Sequence, residues 1–151
     1  MDHLVLFDDP AIRGSLLPFT FTRPVADIRV GILTIAEKWR RLSQVEVSFW
    51  TQEYLQRKFP RHHGKAMAIN GAWIPGEKDW EVVFKLKPNQ ALFYRKIFLA
   101  GYIGETEKNL GFATDREPVH LEKEPLLLQK TWNIFQYNGA EIKKDFALLT
   151  K

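Results

Sequence analysis

The chain of 151 residues contains no cysteine, so neither a disulfide nor a thiolate metal site can form within it. It also lacks long hydrophobic runs, and "LVLF" and "ALFY" are far too short to cross a bilayer. No basic-then-apolar leader opens it, and together with the missing cysteine this makes the cytoplasm the expected location. There is no internal repeat and no low-complexity tract, and neither an RNA-binding aromatic signature nor a helix-turn-helix signature occurs. The histidines are too scattered for a metal centre. His62 and His63 are adjacent and so point apart, and no ligand spacing joins them to His3 or His120. A solvated surface is expected for that pair.

What is present suits one globular domain over residues 1–151, with 45% apolar and 26% charged residues, enough to bury a real core. The net charge of +4 is unevenly placed: residues 51–100 hold nine basic against four acidic side chains, while the two flanking segments are nearly balanced. Arg57, Lys58, Arg61 and Lys65 could therefore contact nucleic acid, but solvated surface is the expected reading.

Along the chain, residues 4–7 form a continuous apolar run closed by Asp8 and Asp9, the mark of a strand covered on both faces. The spacing of Ile32, Ile35, Ala36, Trp39 and Leu42 predicts a helix opening near Val30–Gly31. "VEVSFW" alternates as a strand, and "TQEYLQRKFP" follows with Thr51 as N-cap and Pro60 as stop. "AMAIN" is a third strand, "GAWIPG" a turn-rich loop, and "DWEVVFKLKP" a short helix capped by Asp79. "ALFYRKIFLAGYI" predicts a hairpin around Arg95–Lys96. Residues 104–125 read as an irregular excursion. Trp132, Phe135, Ile142, Phe146 and Leu149 share one helical face, with two short helices expected to meet at Asn138–Gly139. The strand–helix–strand–helix order argues for an α/β fold with parallel pairing.

The stretch "RGSLLPFTFTRPVADIRVGIL" lies where open α/β sheets take their ligands, beyond the carboxyl end of the first strand. Arg13, Arg23 and Arg29 offer planar forks to phosphate oxygens, and Thr20 and Thr22 offer hydroxyls. The helix start near Val30–Gly31 would add free backbone amides. Asp8 or Asp9 could hold magnesium, or could simply cap the next turn. Arg23 could bind a ligand, or clamp Asp27. The phosphate-handling reading requires Arg13 to face a crevice with its guanidinium free for an anion.

The order R-x-x-L-L-P-x-T-x-x-R-P-x-A-D-x-R-x-G-I over residues 13–32, with "INGAWIP" and "TWNIFQYNGAEIKKDFALLT", resembles a bacterial family of sugar nucleotidyltransferases. These are similar to the bifunctional uridylyltransferase and acetyltransferase of UDP-N-acetylglucosamine synthesis. The resemblance implies an α/β Rossmann-like nucleotide-diphospho-sugar transferase fold in a partial or minimal version, with a mixed, mostly parallel sheet. It implies UTP or a similar nucleoside triphosphate, a sugar 1-phosphate such as N-acetylglucosamine 1-phosphate, release of pyrophosphate, and Mg2+. By that match Arg13 steadies the triphosphate, and Arg23 is the nearest substitute for a lysine whose place Val25 takes. Asp8, Asp9, Gly14, Thr20 and Arg29 complete the implied nucleotide site, with no metal ligands assigned. Relatives continue into a left-handed β-helix acyltransferase domain, so such a domain or a second copy is an expected partner. The family's glycine pair before the arginine is missing here, since Gly14 follows it. That departure sustains an alternative: a degenerate, non-catalytic interaction or assembly domain of the same fold, with Trp73 exposed for a contact.

Overall fold

The computed structural model describes residues 3–62, 64–104, 107 and 109–150. The apolar run becomes β1 (His3–Phe7), which lies between two parallel neighbours, β2 (Glu46–Trp50) and β3 (Ala66–Asn70). A strand covered on both faces needs no alternation of polar and apolar residues. Leu4 and Leu6 enter one apolar cluster, Val5 and Phe7 the other. Beyond β3 the sheet turns antiparallel through β6 (Ile97–Ile103) and β5 (Gln90–Tyr94), then gains a parallel edge strand, β7 (Glu117–His120). The order is β2-β1-β3-β6-β5-β7, an α/β architecture with a mixed, mostly parallel six-stranded sheet. The β5–β6 turn is the expected hairpin, and Arg95 takes a left-handed φ of 55° there.

The larger cluster packs α2 (Ile35–Ser43) through Ile35 and Trp39 against Leu4, Leu6, Met67 and Ile69. The Trp39 indole N–H donates to the Trp73 carbonyl at 2.9 Å, and the two rings meet edge to face at 5.1 Å. Trp73 therefore has no exposed surface, contrary to the role expected of it in a contact. It belongs to β4 (Trp73–Ile74), which pairs with β8 (Leu126–Leu127), so "GAWIPG" contains a buried strand where a loop was expected.

Several local expectations shift. Helix α2 starts four residues later than Gly31, at a reciprocal capping box in which Thr34 and Glu37 each accept the other's backbone N–H at 3.1 Å. Thr51 does not cap α3 (Glu53–Gln56); Gln52 holds that position, and the Thr51 hydroxyl reaches Asp8 instead. Asp79 lies inside α4 (Asp79–Phe84) and accepts the Gly76 N–H at 2.6 Å. The expected excursion contains a 3-10 turn (Leu110–Asp115) and β7.

The largest difference is at the end of the chain. One continuous helix, α5 (Thr131–Leu149), replaces the two expected, and Gly139 lies within it without a break. Its aromatic face is the solvent face: Trp132, Phe135, Ile142, Phe146 and Leu149 are all exposed. The face that packs inward carries Asn133, Glu141 and Asp145, all buried. No helix among the described residues is long and apolar enough to cross a membrane.

Candidate functional site

The chain leaves β1 for β2 on one side and then returns to β3 on the other, so the carboxyl ends of β1 and β3 flank the point where connections reverse. That crevice is where a ligand is expected, yet the loop of residues 13–33 fills it. Val25 and Ala26 are buried there, the Val25 N–H donates to Asp8 Oδ1 at 3.0 Å, and the Gly71 N–H donates to the Phe7 carbonyl at 2.8 Å. A Cβ on Gly71 would come within 3.2 Å of the Ala26 Cβ and 3.0 Å of the Phe7 oxygen, so a larger residue would push the loop off the strand ends. Open space remains on the β2 side, a cavity of about 380 Å³ whose wall includes Phe7, Asp8, Trp50, Thr51, Glu53 and Asn109.

Asp8 sits between that cavity and Arg13. Its Oδ2 accepts the Thr51 hydroxyl at 2.6 Å and lies 3.4 Å from Arg13 Nε, near enough for charge attraction but without hydrogen-bond geometry. Arg13 Nη2 donates to the Thr20 carbonyl at 2.6 Å and to the Tyr54 hydroxyl at 2.7 Å, and Tyr54 in turn donates to the Phe21 carbonyl at 2.8 Å. The Thr20 hydroxyl donates back to the Arg13 carbonyl at 2.8 Å. The free guanidinium expected from the sequence is therefore an engaged one, with 11% of the Arg13 side chain and 5% of the Asp8 side chain exposed. Burial pushes the Asp8 carboxyl above its usual range, opposed by the hydrogen bonds from Thr51 and Val25 and by the Arg13 charge.

The other candidates divide. Asp9 is the N-cap of α1 (Pro10–Ser15), accepting from Ala11 and Ile12 at 3.0 and 3.4 Å, which is the capping alternative. Gly14 lies exposed within α1, and Thr20 is wholly buried. Arg23 and Thr22 are exposed. Arg23 makes no ion pair within 4 Å among the described residues, though its charge bears on Asp27 and opposes the rise that burial imposes on that carboxyl. Arg29 is exposed and turns back on its own loop, donating to the Ile32 carbonyl.

The backbone amides expected to greet an anion near Gly31 already hold one. Asp145 Oδ2 accepts the Ile32 and Leu33 N–H groups, both at 2.9 Å, and Asn138 Oδ1 accepts that of Gly31 at 2.8 Å. Lys38 Nζ completes the arrangement, 2.6 and 2.7 Å from the two Asp145 oxygens and 3.1 Å from Glu141 Oε1. Gly31 takes a φ of +84°, and a Cβ there would lie 2.7 Å from the Glu141 backbone, so the loop and α5 meet only over glycine. Nothing in the loop's own sequence points to this cluster. Its signals lie elsewhere, in a lysine among the apolar positions of α2 and in carboxylates four residues apart on α5.

The residues at hand do not make a magnesium site. Both Asp8 oxygens are taken by donors, with an arginine beside them, and Asp9 caps a helix. Among the described residues no group of three His, Asp or Glu could hold a metal ion. His62 stacks on His3 at 3.9 Å, half-buried, while His63 lies outside the described residues. In the basic segment Arg57, Lys58 and Lys65 are exposed, but Arg61 lies over the Trp50 ring at 4.0 Å and donates to the Glu107 carbonyl at 3.0 Å.

A search of curated proteins found no match to the chain. The family described as sugar nucleotidyl transferase does match, over residues 4–151, and the chain belongs to that family.

Proposed function

We propose that this domain binds a nucleoside triphosphate, UTP in the first instance, at the carboxyl ends of β1 and β2. It joins the nucleotide to a sugar 1-phosphate such as N-acetylglucosamine 1-phosphate and releases pyrophosphate, chemistry that suits a cytoplasmic location. The cavity edged by Asp8 and Thr51 carries this reading, because strand ends are where such sheets take ligands and its volume suits a small one. Asp8 and the Thr20 carbonyl hold Arg13 in place, and phosphate oxygens replace the Tyr54 hydroxyl on the guanidinium. That exchange is favourable, since a guanidinium bonds an anion more strongly than a neutral phenol, and Tyr54 is exposed enough to move aside. As the sugar phosphate attacks the α-phosphorus, Arg13 and the exposed Arg23 neutralise the charge gathering on pyrophosphate. No step is assigned to magnesium, for which the site offers no free carboxylate pair.

A second reading is favoured by one observation, the mutual saturation of Asp8, Arg13, Thr20 and Thr51. It holds that the domain keeps the fold and serves assembly without turnover. Calorimetric titration with UTP, with and without magnesium chloride, is paired with an assay for pyrophosphate released from UTP and N-acetylglucosamine 1-phosphate. The first reading expects binding and release, both lost in Arg13→Ala, and several-fold tighter UTP binding in Tyr54→Phe. An absence of heat and of pyrophosphate in the unaltered protein overturns it and leaves the second.

A further inference from the structure

Helix α5 departs from an ordinary surface helix, with its two carboxylates, Glu141 and Asp145, inward and five large apolar residues in water. The apolar stripe has a stricter order than exposure requires. Trp132, Phe135, Gly139, Ile142, Phe146 and Leu149 follow the 3-4-3-4-3 spacing of the a and d positions in a coiled-coil seam, with Trp132, Gly139 and Phe146 at a. Burying one stripe against its own protein does not demand that period, but meeting a second helix along the whole length does.

The geometry points to a second copy of this chain as the occupant, its α5 packed antiparallel across a twofold axis near Ala140–Glu141. In an antiparallel pair each a residue meets a d residue of the other helix. Trp132 then faces the partner's Leu149, Phe135 the partner's Phe146, and Gly139 the partner's Ile142, so all six positions are matched at one register. The gap over Gly139 is filled by a branched side chain, and large residues alternate with smaller ones as interdigitating layers require. A parallel pair would stack Gly139 on Gly139 and leave a hole at the centre of the seam. The flanking charges agree, because the antiparallel register sets the exposed Lys143 against Gln136 and opposes no like charges.

The area also suits a pair. Trp132, Phe135 and Phe146 are 63, 78 and 64% exposed, and at the area typical of aromatic side chains they show about 300–500 Å² per copy. With Ile142 and Leu149 from both copies the contact reaches about 1,000 Å² in total, the lower bound for a specific interface. As a lone exposed patch the stripe is as large as the biggest found on ordinary monomers.

Sedimentation equilibrium across a hundred-fold range of concentration tests this on the whole chain, with circular dichroism to confirm that each variant is folded. The unaltered protein should follow a monomer–dimer equilibrium. Phe135→Glu and Phe146→Lys, both at exposed positions, should each weaken dimerisation at least ten-fold. The double variant should recover most of it, because the antiparallel register pairs each new glutamate with the partner's new lysine. A protein monomeric at every concentration, or a dimer indifferent to Phe135→Glu, overturns the proposal. So does a double variant no better than the singles, since a parallel pair would set like charges together.

Discussion

Two places in this molecule hold a carboxylate between a cation and backbone amides, and they differ in how completely water is shut out. Under α5, Asp145 takes two backbone N–H groups and the Lys38 ammonium, with Glu141 beside them, and the three side chains are 1–3% exposed. At the sheet edge, Asp8 takes one backbone N–H, one hydroxyl and the Arg13 charge, and its outer side borders an open cavity. The first cluster is a buried internal anion site at the floor of a cavity of about 390 Å³, filled by the protein's own carboxylate, and it fixes the loop of residues 31–33 to α5. The second is built from the same kinds of group, but one partner of its arginine, Tyr54, is exposed. Burial separates an ionic cluster enclosed among protein groups from one whose arginine shares its bonds with an exposed side chain, as the proposed binding requires.

The largest effect should therefore come from the buried cluster under α5. Lys38→Met removes the ammonium between two buried carboxylates, leaving Asp145 only the Ile32 and Leu33 N–H groups and Glu141 only the exposed Lys144 at 3.1 Å, and losing one partner of a buried pair typically costs about 3–5 kcal/mol. For a domain of this size that lowers Tm by about 10 °C, readable by scanning calorimetry. Arg13→Met at the sheet edge should cost less, about 1.5–3 kcal/mol, because Asp8 keeps its bonds from Val25 and Thr51. Equal losses in the two variants would break the distinction drawn between them. Smaller still is Tyr54→Phe, which removes two hydrogen bonds of an exposed side chain, one from Arg13 and one to the Phe21 carbonyl, and should shift stability by about 1 kcal/mol.

The sequence announces whatever is local. β1, the β5–β6 hairpin and α4 form where consecutive apolar runs and turn positions place them. The start of α2 is local as well, since the Thr34–Glu37 spacing of a capping box outranks the apolar residues before it. β7 is hidden because "EPVH" has little apolar pattern and joins the sheet at its edge, where a proline is tolerated. In α5, periodicity shows which residues share a face but not which face turns inward. The inward face is held by groups more than a hundred positions away in the chain, Lys38 and the Ile32 and Leu33 N–H groups on Asp145 and the Gly31 N–H on Asn138. The candidate site divides in the same way. Asp8 and Arg13 are legible at the strand end, whereas their engagement with Thr51 and Tyr54 depends on a segment some forty residues on.

The mildest test asks which force governs Asp8. Its folded carboxyl lies above the ordinary range because burial outweighs the hydrogen bonds and the Arg13 charge. A carboxyl raised in the folded state favours folding in its protonated form. Its stabilising contribution is fully present below the unfolded value, about 3.9 for aspartate, and is lost as pH rises through the folded value. Asp8→Asn has no such dependence at this position, so the Tm difference between the two proteins should move in favour of the unaltered chain as pH falls from about 7 to about 4. Movement the other way would mean that the Arg13 pair outweighs burial. The sheet-edge carboxylate would then be held as firmly by its cation as Asp145 is by Lys38, and phosphate would find no loosened partner to displace.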